Sequence, residues 1–285
     1  MMDIERYWPQ IEEVVHNALD EDLKDGDITT EVLFHSRVQC SAALICKANG
    51  ILAGINVASL VFHKVDPFLK FNASTNDGCE INHGDILATI EGDIRGILKA
   101  ERTALNFLQH LCGIATLTSK YVNSVKDLPV KILDTRKTIP GMRILEKYAV
   151  SAGGGTNHRL NLGDLILIKD NHISAMRHNG CDIRDILRIA RKKCPAGMLI
   201  EVETSSIQDA LEAARAGADI VMLDNMNLYD MRQAVELINH RCIVEASGGV
   251  NLNTVRQIAE TGVDWISVGS LTHSSTSLDI SLKLL

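Results

Sequence analysis

The chain has 285 residues, enough for one large domain or two smaller ones. Hydrophobic residues make up 46%, charged residues 23% and aromatic residues 4%, a composition typical of a globular protein with a sizeable aliphatic core. The net charge of −7 argues against a protein that binds nucleic acid through a broad basic face.

The first part of the chain predicts a helix followed by an antiparallel sheet. Apolar residues recur at helical spacing from Ile4 to Asp22, and DGDITT then marks a polar turn. Between residues 38 and 96, short apolar stretches are separated by Gly-containing turns, which is typical of antiparallel, half-buried strands. A second helix is predicted from Lys99 to about Tyr121.

From about residue 130 the pattern changes to apolar runs that alternate with helical segments. The runs are VKILDTRK, GDLILIKDNH, GMLIEVET, ADIVMLDN, RCIVEASGG and VDWISVGS. Helices are predicted between them, at 182–194, 205–216, 228–240 and 251–261. Continuous apolar runs between helices indicate a parallel sheet buried on both faces. Six such units with no evident switch in order favour an α/β barrel over an open doubly wound sheet.

Two further features of the sequence bear on its cellular environment. The seven cysteines are scattered and form no CxxC pair, so they predict neither a zinc site nor a disulfide framework. The N-terminus lacks the basic start and apolar run of a secretory signal, and no apolar stretch approaches the roughly 20 residues of a membrane helix. We therefore expect a cytoplasmic protein that binds neither membranes nor nucleic acid.

Charged residues and glycines follow the predicted barrel strands, at the edge where an α/β barrel carries its active site. The early strands end in cations, the middle strands in carboxylates and the last two in glycines: Asp134-Thr135-Arg136-Lys137, Asn157-His158-Arg159, Lys169, Glu201 and Glu203, Asp224, Ser247-Gly248-Gly249, and Gly269-Ser270. A single strand-end charge is a solvated or salt-bridged residue roughly two times in three. The evidence for a site is therefore that all of these residues follow strands at the same edge of the predicted barrel.

Each of these groups suits a particular ligand chemistry. Arginine presents a planar fork that fits carboxylates and phosphates, so the cation cluster predicts a substrate with at least two negative charges. Glu203 and Asp224 suit Mg²⁺, which binds one or two carboxylates together with substrate phosphates. The segments SGG and VGS each precede a helix, and their backbone N–H groups suit a phosphate. Outside these strand ends, Arg143, Glu146 and Lys147 have the spacing of ion pairs on a helix surface.

A series of motifs along nearly the whole chain resembles one family. The motifs are EDLKDGDITT, AERTALNFLQHLCGIAT, ILDTRKTIPGMRILEKYAVSAGGGTNHR, LIKDNHI, IEVET, IVMLDN, EASGGV and ISVGSLTHSSTSLDISL. Together they resemble quinolinate phosphoribosyltransferase, the decarboxylating enzyme of NAD biosynthesis. The resemblance implies an N-terminal α/β sandwich domain at 1–112 and an incomplete, six- or seven-stranded α/β barrel at 113–271. It also implies that a C-terminal helix at 272–285 packs back on the first domain.

The resemblance also implies site residues. Arg136, Lys137, His158 and Arg159 would bind quinolinate, with Arg102 contributed by the partner of a homodimer. Lys169, Glu203 and Asp224 would bind phosphoribosyl pyrophosphate (PRPP) and Mg²⁺, with Glu201 as a possible helper of Glu203. The catalytic residues would be Lys137, Glu203 and Asp224. Further substrate contacts are implied at Thr135, Ser247, Gly248, Gly249, Val268, Gly269 and Ser270.

Other functions remain open from the sequence. A related pyridine phosphoribosyltransferase could use nicotinate, or be the quinolinate-type homologue associated with molybdenum transport. A barrel lyase acting on a phosphosugar would share the SGG and VGS phosphate site but needs no DTRK and NHR cations. A metabolite sensor would have lost some metal or phosphate ligands, and none is lost here. Extra cations for a second carboxylate favour quinolinate, with phosphoribosyl transfer from PRPP and loss of carbon dioxide.

Overall fold

The computed structural model describes all 285 residues as a series of helices and strands. After a short 3₁₀ helix at Glu5–Tyr7, the helices are α1 Trp8–Leu23, α2 Ile28–Leu33, α3 Ile55–Val65, α4 Ile94–Ser124, α5 Arg143–Ala152, α6 Asp170–His178, α7 Ile183–Lys193, α8 Ile207–Arg215, α9 Leu228–Ile238, α10 Val255–Ala259 and α11 Ser270–His273. The strands are β1 Gln39–Cys46, β2 Gly50–Ile51, β3 Lys70–Ala73, β4 Glu80–Ile81, β5 Ile86–Asp93, β6 Lys131–Leu133, β7 Ile166–Ile168, β8 Ile200–Thr204, β9 Ile220–Asp224, β10 Ile243–Ser247, β11 Trp265–Ser267 and β12 Ile280–Leu284. None of the helices combines the length and apolar composition that a membrane span requires.

The chain divides into two compact units, each built from separate segments. Unit 1 comprises Met1–Ser119, Thr138–Gly154 and Leu271–Leu285, and unit 2 comprises Lys120–Lys137 and Gly155–Ser270. The predicted boundary after residue 112 falls inside α4, whose apolar face continues without a break. The segment that carries α5 belongs to unit 1, although it lies between two barrel strands in the sequence.

Unit 1 contains a four-stranded antiparallel sheet in the order β12-β1-β5-β3. Strand β1 is central and buried at Ala42, Ala43 and Leu44, which have no exposed surface. The predicted antiparallel, half-buried sheet is therefore confirmed, and the first predicted helix corresponds to α1. Pro9 lies in the first turn of α1, where its missing N–H is not needed.

The C-terminal segment is a strand, so the predicted helix at 272–285 is wrong. Apart from the one-turn α11, the segment forms β12, which pairs with β1 from Cys46↔Ile280 to Ala42↔Leu284. Leu278, Ile280, Leu282 and Leu284 alternate with other residues, and a period of two places side chains on one face of a strand. The segment does belong to unit 1, which it completes as an edge strand.

Two residues expected on a helix surface are instead buried in unit 1. Glu146 and Lys147 of α5 are 0% and 1% exposed, so the predicted surface ion pairs are wrong. The Glu146 carboxylate lies 2.9 Å from His110 Nε2 and accepts a hydrogen bond from the backbone N–H of Ile139 at 3.2 Å. A buried carboxylate requires such partners because burial removes its hydration. Glu146 therefore joins α4 and α5 to the turn before α5.

Unit 2 contains a six-stranded, entirely parallel sheet in the order β6-β11-β10-β9-β8-β7. The last strand of the unit pairs with the first, so the sheet curls into a barrel, whereas β6 and β7 are not paired. Thr156 adds one parallel bridge to Leu133 on the free side of β6. The predicted incomplete α/β barrel is confirmed, with six strands and one isolated bridge beside β6.

The helices between the barrel strands begin at side chains that cap them. Asp182, Ser206 and Asn227 accept hydrogen bonds from the backbone N–H groups of Asp185, Asp209 and Asp230, at the starts of α7, α8 and α9. Such caps satisfy N–H groups that have no partner within a helix and are worth about 1 kcal/mol each. They fix where each helix begins, and the caps of α8 and α9 thereby set the length of the loops that follow β8 and β9.

Candidate active site

A cavity of about 470 Å³ opens in unit 2 where the barrel strands end. Nine of the residues predicted from the sequence line it: Thr135, Arg136, Lys137, His158, Arg159, Lys169, Glu203, Asp224 and Ser247. Six residues without a predicted role also line it: Asp134, Leu167, Met222, Asn225, Glu245 and Ser267. The C-terminal edge of a parallel barrel brings residues that are distant in sequence into one cavity.

Arg136 and Arg159 supply guanidinium groups to one side of this cavity. Arg136 Nε is buried and has no hydrogen-bond acceptor in the protein. Arg159 Nη1 donates to the carbonyl of Leu165 at 3.3 Å. Burial lowers the pKa of Arg159, and the charge of Arg136 lowers it further. Because the charge of Arg136 disfavours the charge of Arg159, an anionic ligand between the two guanidinium groups would be stabilised.

The loop that carries His158 is anchored by a fully buried carboxylate. Asp134 has no exposed surface and follows β6 directly. It accepts hydrogen bonds from Asn157 Nδ2 at 2.7 Å and from the backbone N–H of His158 at 2.8 Å. Hydrogen bonds to an ionised acceptor are among the stronger ones in proteins. Asp134 therefore fixes the backbone from which His158 and Arg159 extend into the cavity.

The ring of His158 lies between two buried carboxylates, Glu201 and Glu245. Its Nε2 is 3.1 Å from Glu201 Oε2 and 3.4 Å from Glu245 Oε2. Burial lowers the pKa of His158, but the two carboxylates more than offset this and raise it to about 9. Burial raises the pKa of the Glu201 carboxyl.

The opposite nitrogen of the ring, Nδ1, lies close to the next peptide group. The backbone N of Arg159 is 2.8 Å from His158 Nδ1. At Nε2, the two carboxylates favour the protonated form of the ring.

Glu203 and Asp224 lie at the ends of β8 and β9 and face the same cavity. Burial raises the pKa of the Glu203 carboxyl, the ammonium of Lys169 lowers it, and the charge of Asp224 raises it again. Asn225 Nδ2 donates to Asp224 Oδ2 at 2.8 Å and orients that carboxylate. Both carboxylates also line a neighbouring cavity of about 470 Å³, so they lie between two cavities.

Strands β10 and β11 of the barrel end at the two glycine-containing segments that the sequence predicted as phosphate contacts. Gly248 and Gly249 adopt φ values of +89° and +64°, a region that L side chains rarely adopt. A Cβ at Gly248 would also collide with the amide of Asn225. Val268 is buried and its N–H donates to the carbonyl of Leu133, so its side chain belongs to the core. Gly269 follows it, and Ser270 begins α11 with its hydroxyl 3.3 Å from Tyr121 Oη.

Arg102 lies in unit 1, on α4, and is exposed. It lines a cavity of about 390 Å³ in that unit together with Glu21, Asp22, Asn106 and His110. Its predicted contribution to the site of a partner subunit stays a prediction.

Both parts of the chain match models of a known protein family. Residues 27–112 match the family model described as quinolinate phosphoribosyl transferase, N-terminal domain, and residues 114–283 match the model of the C-terminal domain. The chain belongs to the quinolinate phosphoribosyltransferase family. The resemblance read from the sequence motifs is therefore confirmed.

Members of this family that are similar along the whole chain include plant and bacterial proteins. Quinolinate phosphoribosyltransferase (decarboxylating) 2b, mitochondrial, from Nicotiana tabacum is 40% identical, and the match covers 96% of this chain and 82% of that protein. The probable nicotinate-nucleotide pyrophosphorylase (carboxylating) of Synechocystis is 39% identical over 97% of this chain and 93% of its own length. The crystal structure of NadC from Streptococcus pyogenes is 43% identical with a TM-score of 0.92, covering 97% of this chain and 96% of that one.

Sequence reasoning missed Glu245 and Ser267 as cavity residues, and it placed Asn225 at a strand end without giving it a role. Glu245 lies inside the apolar run RCIVEASGG, two residues before the strand end that was singled out. A charged residue in an otherwise apolar buried strand is itself a signal, because an unpaired charge there is costly. Asn225 follows Asp224 directly, and its φ of +54° is a conformation that asparagine adopts more readily than most residues.

Proposed function

We propose that this protein transfers the phosphoribosyl group of PRPP to quinolinate, with release of pyrophosphate and carbon dioxide, to give nicotinate mononucleotide. The observation that carries the proposal is the buried Nε of Arg136, a charged donor with no acceptor in the protein, beside Arg159 in the cavity. Buried donors are almost always hydrogen-bonded, so a ligand carboxylate is the expected partner. Membership of the family supplies the reaction.

The cations of the cavity suit a dicarboxylate substrate. Arg136 and Arg159 hold the two carboxylates of quinolinate, and Lys137 adds a further positive charge at the exposed rim. Fixing both carboxylates orients the pyridine nitrogen for attack on the anomeric carbon of PRPP. Because both reactants are bound in the right orientation, the reaction no longer depends on their collision in solution. The C–O bond to pyrophosphate breaks as the N–C bond forms, and the ring nitrogen becomes cationic. The cationic nitrogen stabilises the carbanion left on the adjacent ring carbon when its carboxylate departs as carbon dioxide, and a proton from water then adds to that carbon to give nicotinate mononucleotide.

The carboxylates of the cavity suit Mg²⁺ bound with PRPP. Glu203 and Asp224 are close enough for the charge of one to raise the pKa of the other, which indicates a place where a cation would be stabilised. Their hard oxygen donors match Mg²⁺, and it would be held there together with phosphate oxygens. When bound, Mg²⁺ neutralises negative charge that develops on the leaving pyrophosphate. Lys169 and Lys137 supply positive charge to the same leaving group.

The glycine turns suit the phosphoribosyl group. Ser247 lines the cavity, and Gly248 and Gly249 follow it in a turn with positive φ, where a Cβ at Gly248 would collide with Asn225. Backbone N–H groups at such a turn, and at Gly269 and Ser270 before α11, bind a monophosphate without a counter-charge from a side chain.

The direct test is an endpoint assay with quinolinate, PRPP and Mg²⁺ that follows carbon dioxide and nicotinate mononucleotide. We expect product from quinolinate that disappears when the metal is chelated. Nicotinate is assayed in parallel, because the alternative use of a monocarboxylate is the nearest competing function. Turnover of nicotinate in place of quinolinate would contradict the dicarboxylate assignment. Human nicotinic acid phosphoribosyltransferase shares only the fold with this chain, at 12% identity and a TM-score of 0.63.

The proposal extends to assembly and location. The active form is a homodimer in which Arg102 of one subunit enters the site of the other, and the enzyme acts in the cytoplasm. The exposure of Arg102 on α4 is compatible with a contact to a second subunit.

A further inference from the structure

Asn225 lines the substrate cavity directly after Asp224 and has an unusual backbone conformation. Its φ of +54° lies in the left-handed region, which is disfavoured for most L residues but tolerated by asparagine. Asn239, at φ +47°, has the same conformation at the end of α9, where its N–H donates to a carbonyl of the last helical turn. Asn225 instead follows a strand, and α9 begins later, at its own cap Asn227. Helix capping therefore does not explain the conformation of Asn225.

Three contacts connect Asn225 to the ends of β9 and β10. Its backbone N–H donates to the carbonyl of Ser247 at 2.9 Å. Its side-chain Nδ2 donates to Asp224 Oδ2 at 2.8 Å. The same amide lies against the α-carbon of Gly248, where it occupies the space that a Cβ would need. One side chain thus contacts both the carboxylate at the end of β9 and the glycine turn after β10.

These two strand ends have different parts in the proposed function. Asp224 binds Mg²⁺ together with the pyrophosphate of PRPP, and the turn at Gly248 binds the phosphate at the other end of the same molecule. PRPP can occupy both places only if their spacing matches its own length. The paired residues of β9 and β10 end at Asp224 opposite Ser247. Beyond that pair, another contact must hold the carboxylate and the glycine turn at a fixed distance.

We propose that Asn225 is a positioning residue that connects the Mg²⁺ ligand Asp224 to the phosphate-binding turn at Gly248 and thereby sets the spacing of the two ends of the PRPP site. This inference rests on the proposed function, because it assigns Asn225 to the PRPP half of the site. The amide acts through Asp224 and Gly248, not on the reacting atoms. The position requires both a left-handed backbone and a hydrogen-bond donor, and glycine supplies only the first.

The first test is Asn225→Gly, which keeps the backbone conformation and removes the amide. Glycine adopts positive φ freely, so the midpoint temperature of thermal unfolding should stay close to that of wild type. A hydrogen bond to a charged group is worth roughly a factor of ten or more, so KM for PRPP should rise about tenfold and KM for quinolinate less than about threefold. Asn239→Gly is the matched control, because it makes the same change at a left-handed asparagine that does not line the cavity. It should leave both KM values unchanged.

Calorimetry with the two halves of PRPP tests the connection without turnover. The probes are inorganic pyrophosphate with Mg²⁺ and ribose 5-phosphate. We expect Asn225→Gly to weaken binding of both probes, each by about threefold or more, whereas Asp224→Asn should weaken only pyrophosphate with Mg²⁺. A loss confined to pyrophosphate in Asn225→Gly would overturn the proposal, because Asn225 would then act on Asp224 alone.

A double substitution tests the contact between the amide and Gly248. A Cβ at Gly248 collides with the amide of Asn225, so Gly248→Ala should displace that amide from Asp224. In the Asn225→Gly background the collision is absent, and only the cost of positive φ at alanine remains. Gly248→Ala should therefore raise KM for PRPP by a smaller factor in Asn225→Gly than in wild type, as expected for coupled residues. Factors that simply multiply would overturn the proposal.

Other outcomes separate this inference from a structural role and from the proposed function. Equal rises in both KM values, a large fall in the unfolding temperature of Asn225→Gly, or the same PRPP defect in Asn239→Gly would each overturn the inference. Wild-type protein that binds both probes but does not turn over quinolinate would remove the proposed reaction and leave the role of Asn225 in place. Wild-type protein that binds neither probe would overturn both.

Discussion

Arg136 and Arg159 are the residues on which substrate selectivity is expected to depend. Each charge-assisted hydrogen bond to a carboxylate is worth roughly 1.5–3 kcal/mol, and about 1.4 kcal/mol corresponds to a factor of ten. We expect Arg136→Ala and Arg159→Ala each to raise KM for quinolinate at least roughly tenfold, with a much smaller effect on KM for PRPP. Steady-state kinetics with each substrate varied in turn measures this. Arg188→Ala, on an exposed arginine of α7, is the control, and equal losses for both substrates would contradict the assignment.

For Glu203 and Asp224 we expect substitutions to affect the use of Mg²⁺ and PRPP. Asp224→Asn removes one of two charged oxygen donors, so the Mg²⁺ concentration for half-maximal rate should rise, and kcat/KM for PRPP should fall roughly a hundredfold. Binding of quinolinate alone, measured by calorimetry, should be little changed. Asp230→Asn, at the start of α9, tests for a general effect of losing a carboxylate. An unchanged Mg²⁺ requirement in Asp224→Asn would exclude this carboxylate as a metal ligand.

The predictable site residues share one property: they follow an apolar run that ends abruptly. Arg136, Lys169, Glu203 and Asp224 stand at such ends, and the structure places all four around one cavity. Glu245 could not be found by the same rule, because it lies within its strand and its ion-pair partner, His158, is 87 positions earlier in the chain. Contacts of this kind depend on barrel closure, which brings β10 and the loop before β7 together. Local sequence patterns do not contain that information.

Among the elements, the barrel units were the most predictable. Their apolar runs are continuous and their helices begin at capping residues, so α7, α8 and α9 were predicted to within a few residues. The end of the chain was mispredicted, because short segments with alternating and clustered apolar residues fit both helix and strand. Pairing with β1 decides in favour of a strand. The burial of Glu146 and Lys147 was missed for a similar reason, since helix spacing alone does not show which face is covered.

Strand β12 provides a test of how far unit 1 depends on the end of the chain. Ile280 is 2% exposed, and its carbonyl accepts a hydrogen bond from Gln109 Nε2 at 2.7 Å. Ile280→Ala leaves a cavity in the core and should cost roughly 2–4 kcal/mol. We expect the midpoint temperature of thermal unfolding, measured by circular dichroism, to fall by several degrees. Leu284→Ala, in the same strand but 49% exposed, should change stability by less than about 0.5 kcal/mol. Equal effects of both changes would contradict the role of β12.

Across the whole molecule, the predicted site residues divide between the two units. Arg102 lies in unit 1, whereas the residues that line the barrel cavity lie in unit 2. A shared site in a homodimer would make each subunit inactive without its partner's Arg102, and two different defects would then complement each other. A two-fold interface presents the same surface from both subunits, so either subunit could supply the missing group.

This arrangement gives a quantitative expectation for mixed subunits. Arg102→Ala and Lys137→Ala should each be inactive alone. In a heterodimer of the two, one site combines the intact Lys137 of the first variant with the intact Arg102 of the second, and the other site lacks both. Random re-association makes about half of the dimers mixed, so activity should return to about a quarter of wild type. The variants are mixed under conditions that exchange subunits, with dimers confirmed by sedimentation. Arg188→Ala mixed with Lys137→Ala controls for dilution, because it should give only the activity of the intact sites it contributes. Absence of recovery between exchanged subunits would show that each site is completed by its own chain.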